Sequence, residues 1–422
     1  MDKKHILIIS FAYPPLPAIG SRRIAMIAKE LHSNGYVPHV ITAKNPPQTH
    51  DIKSFIPEEN VHHVNWFDIW QLKHTLEKYK LTKILGKILG YFFPFGSNIL
   101  PERRRFFWIQ PAVKKGLELI KKHNIELIYS SYTPPASIRI AAKLKEESGI
   151  PWINEYRDLW TGNPYLNLSE KQKAKNYKKE KELISKADAL VTVSEPLKRE
   201  LIVLHKKPTF VIYNGIDQLA TTSGNKATSK KIKIVYAGTI YKGKRDPLPL
   251  FLALKRLKEK DNSLYNLFKV DFYGPAMEKL LYKDVIDTGV GDVVSLKQPV
   301  SHKEILDIQA NANILLLLGW NNIADEGVLT GKIFEYLGMY KPILAMGYKN
   351  GAMDVVLKET KTGRIINSPE EICNYLIDVA KIIQNNEKIE LFKSNIMLDS
   401  YLRKRQVVNL IKVFDKTLTN KL

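Results

Sequence analysis

At 422 residues the chain exceeds what one ordinary hydrophobic core holds and calls for two domains of roughly 150–200 residues each. Apolar residues make up 44% and charged residues 26%, which excludes a disordered chain, and the single cysteine, Cys373, excludes an internal disulfide and agrees with a reducing compartment. The formal net charge of +22 favours anionic partners such as nucleic acid, phosphorylated substrates or an acidic membrane surface, although lysines scattered over a solvated surface produce the same number.

The opening stretch, MDKKHILIISFAYPP, contains an apolar run of about five residues, a buried strand over His5–Ser10 rather than the core of a signal peptide. A glycine turn at Ile19-Gly20-Ser21 follows. Ile24, Ile27, Ala28 and Leu31 then recur at helical spacing, and Asn34-Gly35 supplies a stop. Val37–Thr42 is the next strand, so the unit is parallel and puts the Gly20 loop at the carboxyl edge of a sheet. The alternation continues with strands at Glu126–Ser131, Trp152–Tyr156, Ala189–Val193 and Thr209–Tyr213 and a helix at Ala136–Glu147. The polar stretch LATTSGNKATSKK (Leu219–Lys231) marks the sharpest change of composition and is expected to be the domain boundary.

The pattern then restarts. Ile232–Tyr236 is a strand, Ala237–Arg245 a basic glycine-bearing loop and Leu248–Lys258 a helix, with further strands at Lys269–Tyr273, Val293–Leu296, Ile314–Leu318 and Pro342–Ala345. The expected domains are 1–217, a linker at 218–231, and 232–398. A last helix, about Asp399–Lys416 within 399–422, is placed to cross back to the first domain. Two such α/β halves facing one another set both carboxyl edges around a central cleft. No apolar stretch reaches the roughly 18–20 residues that span a bilayer.

Within the stretch Val328–Leu344, VLTGKIFEYLGMYKPIL, a helix begins with Thr330-Gly331-Lys332 and carries an acid, Glu335, a turn inside. A phosphate-binding P-loop fails on spacing: three residues separate Gly327 from Gly331, and Ile333 rather than a hydroxyl residue follows Lys332. An ordinary helix start remains one account. The other is an exposed helix N-terminus after an apolar strand, which attracts phosphate, with Glu335 accepting from the vicinal hydroxyls of a ribose.

Together these stretches resemble the retaining GT-B glycosyltransferases of glycosyltransferase family 4, the bacterial surface-polysaccharide type. The resemblance covers nearly the whole chain. It includes ILIISFAYPPLPAIGSRR (Ile6–Arg23), PERRRFFWIQPA (Pro101–Ala112), YSSYTPPAS (Tyr129–Ser137) and PWINEYRDLWTG (Pro151–Gly162). It continues with DALVTVSEPLKREL (Asp188–Leu201), VIYNGID (Val211–Asp217), YAGTIYKGKRDP (Tyr236–Pro247) and LTGKIFEYLGMYKPIL (Leu329–Leu344). It implies two Rossmann-like domains around a cleft, a nucleotide-sugar donor, and metal-independent transfer with retention to a glycan or lipid-linked acceptor in lipopolysaccharide or capsule synthesis. Lys244 and Arg245 match the cations that neutralise the donor diphosphate. Gly331 and Lys332 match the helix start that faces it, Glu335 the ribose acid, and Gly20 the glycine loop closing on the phosphates. Thr239 stands where the family often has arginine after Gly238, which leaves Lys242, Lys244 and Arg245 to contact the diphosphate. The family's first acid falls at Gly327, with Asp325 and Glu326 off register.

Arg157-Asp158 ends a first-domain strand, either as a salt-bridged loop pair or as an acceptor or sugar contact, with Asp158 the group to orient or deprotonate an acceptor hydroxyl. His5, His39, His123 and His302 are scattered along the sequence, no Asp-x-Asp occurs, and no metal site or cofactor is expected. Leucines and aromatics mix with lysines and Arg103, Arg104 and Arg105 over Gln71–Lys122. That mixture describes a core helix with a solvated face, or an interfacial helix on anionic lipid. No nucleic-acid motif appears. The expectation is therefore a cytosolic enzyme peripheral to the inner face of the membrane. A catalytically inactive binding subunit or a nucleotide-sugar epimerase of the same fold are the alternatives.

Overall fold

Strands that read as continuous apolar runs are buried on both faces and need helices on both sides, which the chain supplies in alternation. The computed structural model describes residues 3–16, 19–44, 54–66, 106–166, 168–217, 219, 231–385 and 395–421. Arg103, Arg104 and Arg105, the apolar-basic stretch before them and nearly all of the polar segment 218–231 lie outside the described residues.

Two parallel sheets result. The first comprises β1 (His5–Ile9), β2 (Val37–Ala43), β3 (Val61–Val64), β4 (Leu127–Tyr132), β5 (Trp152–Tyr156), β6 (Ala189–Thr192) and β7 (Thr209–Val211), in the spatial order β3-β2-β1-β4-β5-β6-β7. The second comprises β8 (Ile232–Ala237), β9 (Phe268–Tyr273), β10 (Val294–Lys297), β11 (Ile314–Leu318), β12 (Ile343–Met346) and β13 (Gly363–Ile365), in the order β10-β9-β8-β11-β12-β13. The strand order of each sheet therefore reverses once, between β1 and β4 and between β8 and β11. At such a switch point the loops leaving the two central strands run in opposite directions, which is where open α/β sheets bind ligands.

Alternation along β1 sorts the first core into two layers. Leu7 and Ile9 pack with Trp108, Ala112 and Ile140 on one face. Ile6 and Ile8 pack with Ile24, Leu31, Leu410 and Phe414 on the other. The chain divides into two compact units, Met1–Tyr213 with Gln406–Leu422, and Asn214–Arg405.

Differences from the sequence expectation fall at edges. β3 and β13 are short edge strands, VHHV and GRI, too brief and polar to show alternation. The expected last helix is two, Asn395–Ser400 and Arg403–Leu418. The break arises because the backbone of Tyr401–Arg403 turns to Ile216: Ile216 N–H donates to the Tyr401 carbonyl at 2.8 Å, and Arg403 N–H to the Ile216 carbonyl at 2.9 Å. Among the described residues no helix is long and apolar enough to cross a membrane.

Candidate active site

In the second unit, β8 ends at Ala237 and the chain turns through Gly238, whose φ of +150° disfavours any side chain. A Cβ built on Gly238 would lie 1.6 Å from the Lys332 ammonium nitrogen. A Cβ on Gly274, just beyond β9, would lie 2.1 Å from the Gly238 carbonyl oxygen. Two bare glycines thus let neighbouring loops interlock and let the Lys332 amine pass against the backbone, 5.0 Å from the centre of the Tyr236 ring. Burial, then repulsion from Arg245, lowers the Lys332 pKa to about 8 against the opposing pull of Glu335.

The loop continues as a tight turn in which Lys244 and Arg245 N–H groups both donate to the Tyr241 carbonyl at 2.9 Å. Gly243, at φ +75°, makes that reversal. The Lys244 amine sits 4.7 Å over the ring of Trp320, the second residue after β11, so a cation from one side of the switch point rests on an aromatic from the other. The Arg245 guanidinium lies 4.9 Å over Tyr241. Lys242 is exposed at the turn.

Helix Gly331–Gly338 starts behind this cluster. Its N-cap, Thr330, makes no side-chain cap bond, so the backbone N–H groups of the first turn are left to other partners. Glu335 Oε1 accepts from Gln309 Nε2 at 2.8 Å. Gln309 is fully buried, and its own Oε1 has no hydrogen-bond partner among the described residues. Asp325, one of the two off-register acids, turns inward and accepts from the Trp320 N–H at 3.0 Å, so it fastens the β11 loop. Glu326 is partly exposed, and its carbonyl accepts from Ala352 N–H at 2.7 Å.

In the first unit Gly20, Arg157 and Asp158 gather at the carboxyl edge. A Cβ on Gly20 would fall 2.0 Å from Arg157 Nη1. Arg157 Nε donates to the Tyr132 carbonyl at 2.9 Å, holding the guanidinium between the ends of β4 and β5. Asp158 beside it is exposed. Beneath them lies a charge network that the sequence reading missed. Arg23 donates to Glu155 Oε1 through Nε at 2.9 Å and Nη2 at 2.8 Å, and to the carbonyls of Ile212 and Tyr213 at 2.9 Å. Tyr129 and Ser131 hydroxyls donate to Glu155 at 2.6 Å each. Burial alone would raise the Glu155 pKa. The Arg23 charge and this ring of donors instead hold it below the usual carboxylate range.

The histidines need a correction. His5, His39 and His123 are scattered in sequence but meet in space, because β1 and β2 are neighbours and helix Phe106–His123 packs over them and ends there. His5 Nδ1 and His39 Nε2 are 3.0 Å apart, and the His39 and His123 rings lie 4.3 Å apart. Burial first, then its imidazole neighbours, lowers the His39 pKa to about 3.

A GT-B protein is what the two Rossmann-like units define, and the comparisons agree. The sequence model of glycosyltransferase family 4 matches residues 20–218, so the resemblance stands over most of the first unit. A glycosyltransferase from Rickettsia africae ESF-5 superposes with a TM-score of 0.64 at 16% identity, over 100% of both chains. The sucrose-phosphate synthase of Thermosynechococcus elongatus gives 0.65 at 12% identity, over 99% of this chain and 100% of that one. Anabaena Alr3699/HepE, in complex with UDP and glucose, gives 0.62 at 16%, also over 99% and 100%. No curated protein matches the sequence.

Proposed function

We propose that the protein transfers a sugar, with retention and without a catalytic metal, from a nucleoside diphosphate sugar to a hydroxyl of a lipid-linked glycan in bacterial surface-polysaccharide synthesis. The observation that carries this is the convergence of Lys244, Arg245, Lys332 and an uncapped helix start on the β8/β11 switch point. Such a cluster matches a diphosphate whose charge grows as the glycosidic bond breaks, and fixed cations stabilise that leaving group most in the transition state. UDP in the Anabaena structure agrees with a nucleoside diphosphate here. Glu335 would take the ribose hydroxyls, and Asp158 with Arg157 would hold the acceptor hydroxyl. Gly20, expected as a phosphate-facing glycine loop, is instead the second residue of helix Ile19–Ser33, and its bare face makes room for the Arg157 guanidinium beside Asp158. Retention rests on the family resemblance.

Lys244→Ala should weaken nucleoside diphosphate binding and lower turnover of donor into an added acceptor, with added Mg²⁺ or Mn²⁺ leaving the wild-type rate within about twofold. Wild-type kinetics in that variant would remove Lys244 from the site. Donor consumption without acceptor product would favour an epimerase, a fold neighbour of which exists in Listeria monocytogenes at 12% identity and a TM-score of 0.51. Donor binding without any turnover would favour an inactive binding subunit.

Glu335→Gln separates site from frame. The new amide can pair with Gln309 just as the carboxylate does, so the melting temperature should hold. Loss of charge-assisted bonds to the ribose should weaken donor binding about tenfold or more. An unchanged dissociation constant would refute the ribose role.

We place the enzyme at the inner face of the membrane, with Arg103, Arg104 and Arg105 contacting anionic lipid. Replacing all three with Ser should release the protein from anionic vesicles and leave soluble donor binding intact. Wild-type protein that ignores such vesicles would make the patch ordinary surface.

A further inference from the structure

We propose that His5, His39 and His123 form a binding site for a divalent first-row transition metal, with Zn²⁺ the first candidate, toward the amino end of the first sheet. One ring nitrogen from each residue comes within 4.8 Å of the others. A tetrahedral zinc with bonds of about 2.0–2.1 Å separates its ligands by about 3.4 Å. The 3.0 Å approach of His5 to His39 is therefore within a few tenths of an ångström of that spacing, and His123 reaches it by a small rotation at the end of its helix.

The chemistry of the set is right for such an ion. Imidazole suits Zn²⁺, Cu²⁺ and Ni²⁺, whereas Mg²⁺ and Ca²⁺ prefer oxygen. His39 is buried, with His5 and His123 half-buried against it. His39 Nδ1 is buried with no hydrogen-bond partner among the described residues, and so is Nε2 of His62, whose ring stacks on His39 at 5.8 Å. A water accepting from His39 Nδ1 would fix the tautomer in which Nε2 turns its lone pair to the ion. Water would complete a tetrahedral set, since His62 stacks on His39 and lies outside the three rings whose nitrogens converge. On binding, the proton shared between His5 Nδ1 and His39 Nε2 moves to the other nitrogen of its ring, so both inward nitrogens present lone pairs.

The three residues come from β1, β2 and the end of helix Phe106–His123, while Gly20 and Arg157 stand at the carboxyl edge of the same sheet. The ion would tie strand to strand and helix to sheet, with no part in sugar transfer. Lys115 and Lys122 lie near enough to oppose a cation, so micromolar affinity is expected rather than the far tighter binding of thiolate sites.

The test uses the metal-stripped full chain titrated with Zn²⁺ by calorimetry, and with Co²⁺ for the intense visible absorption of a tetrahedral site. One ion per chain, a raised melting temperature and a tetrahedral Co²⁺ spectrum are expected. His123→Gln and His39→Gln should each weaken Zn²⁺ binding at least tenfold, while His302→Gln, exposed in the second unit, should change nothing. If His39→Gln fails to fold, His5→Gln takes its place. Absence of saturable Zn²⁺ binding, or binding that survives the His123 and His39 or His5 substitutions, would overturn the site.

Discussion

Arg23→Met is expected to remove about 3–5 kcal/mol of stability, because it leaves the Glu155 carboxylate buried without its counter-charge. Both side chains are almost wholly inaccessible, at 2% and 0%, so water cannot replace the lost partner. Methionine roughly fills the volume, and the loss is therefore electrostatic rather than a cavity. The melting temperature should fall by roughly 10 °C or more. Adding Glu155→Gln should recover part of that loss, since the remaining donors, Tyr129 and Ser131, can serve a neutral amide. The network also predicts a pH dependence. The folded pKa of Glu155 lies below its ordinary value. Its contribution is therefore present above the unfolded pKa and disappears as pH falls through the folded one. An Arg23→Met protein that melts with the wild type would show that the pair contributes nothing.

Lys332→Met should lower kcat/KM by two to three orders of magnitude, the order found when one preorganised charge stabiliser is deleted, and make the free protein no less stable. Burial that lowers the pKa from 10.5 to about 8 opposes folding with Lys332 charged, by up to on the order of 3 kcal/mol. Removing the amine relieves that opposition, so function and stability should move in opposite directions. Because the unfolded chain holds the proton more tightly, wild-type stability gains from this group as pH rises from about 8 toward 10.5. Nucleoside diphosphate binding runs the other way: flat below pH 8, then weakening by up to tenfold per unit as the site must take up a proton. In Lys332→Met the slope should vanish. A slope that persists belongs to another group.

The alternating strands were legible because apolar runs such as Ile314–Leu318 and Trp152–Tyr156 are bounded by loops and sit between helical stripes. β3 and β13 were not, since His62-His63 and Arg364 interrupt the apolar residues of VHHV and GRI, whereas the equally short edge strands β7 and β10 lie in longer apolar runs. In the candidate site, Gly331-Lys332 and the Lys244-Arg245 pair stood out as local composition. Their companions did not. Trp320 and Tyr236 meet the two lysines through the order of β8 and β11, which no local window contains. Glu155 offered one signal, an acid inside the apolar strand WINEY, and such a residue needs a buried partner. That the partner is Arg23, 132 positions away, is a property of the topology. The histidines show the same limit, with spacing along the chain saying nothing of strand neighbours.

The return of Gln406–Leu422 to the first unit makes the second unit an insertion within the first. Val407, Leu410, Val413 and Phe414 fill one face of a sheet that begins at His5. During synthesis, Asn214–Arg405 is continuous and can fold as soon as it leaves the ribosome, whereas the amino-terminal unit, made first, stays open on that face until the last helix emerges. The part translated earliest is thus the part completed latest. At synthesis rates of about 5–20 residues per second, the interval over the intervening stretch is roughly ten to forty seconds. Through that window Ile6, Ile8, Tyr129 and Phe210 expose apolar surface to which chaperones bind, and premature termination beyond Arg405 would leave a finished second unit attached to a first that cannot close.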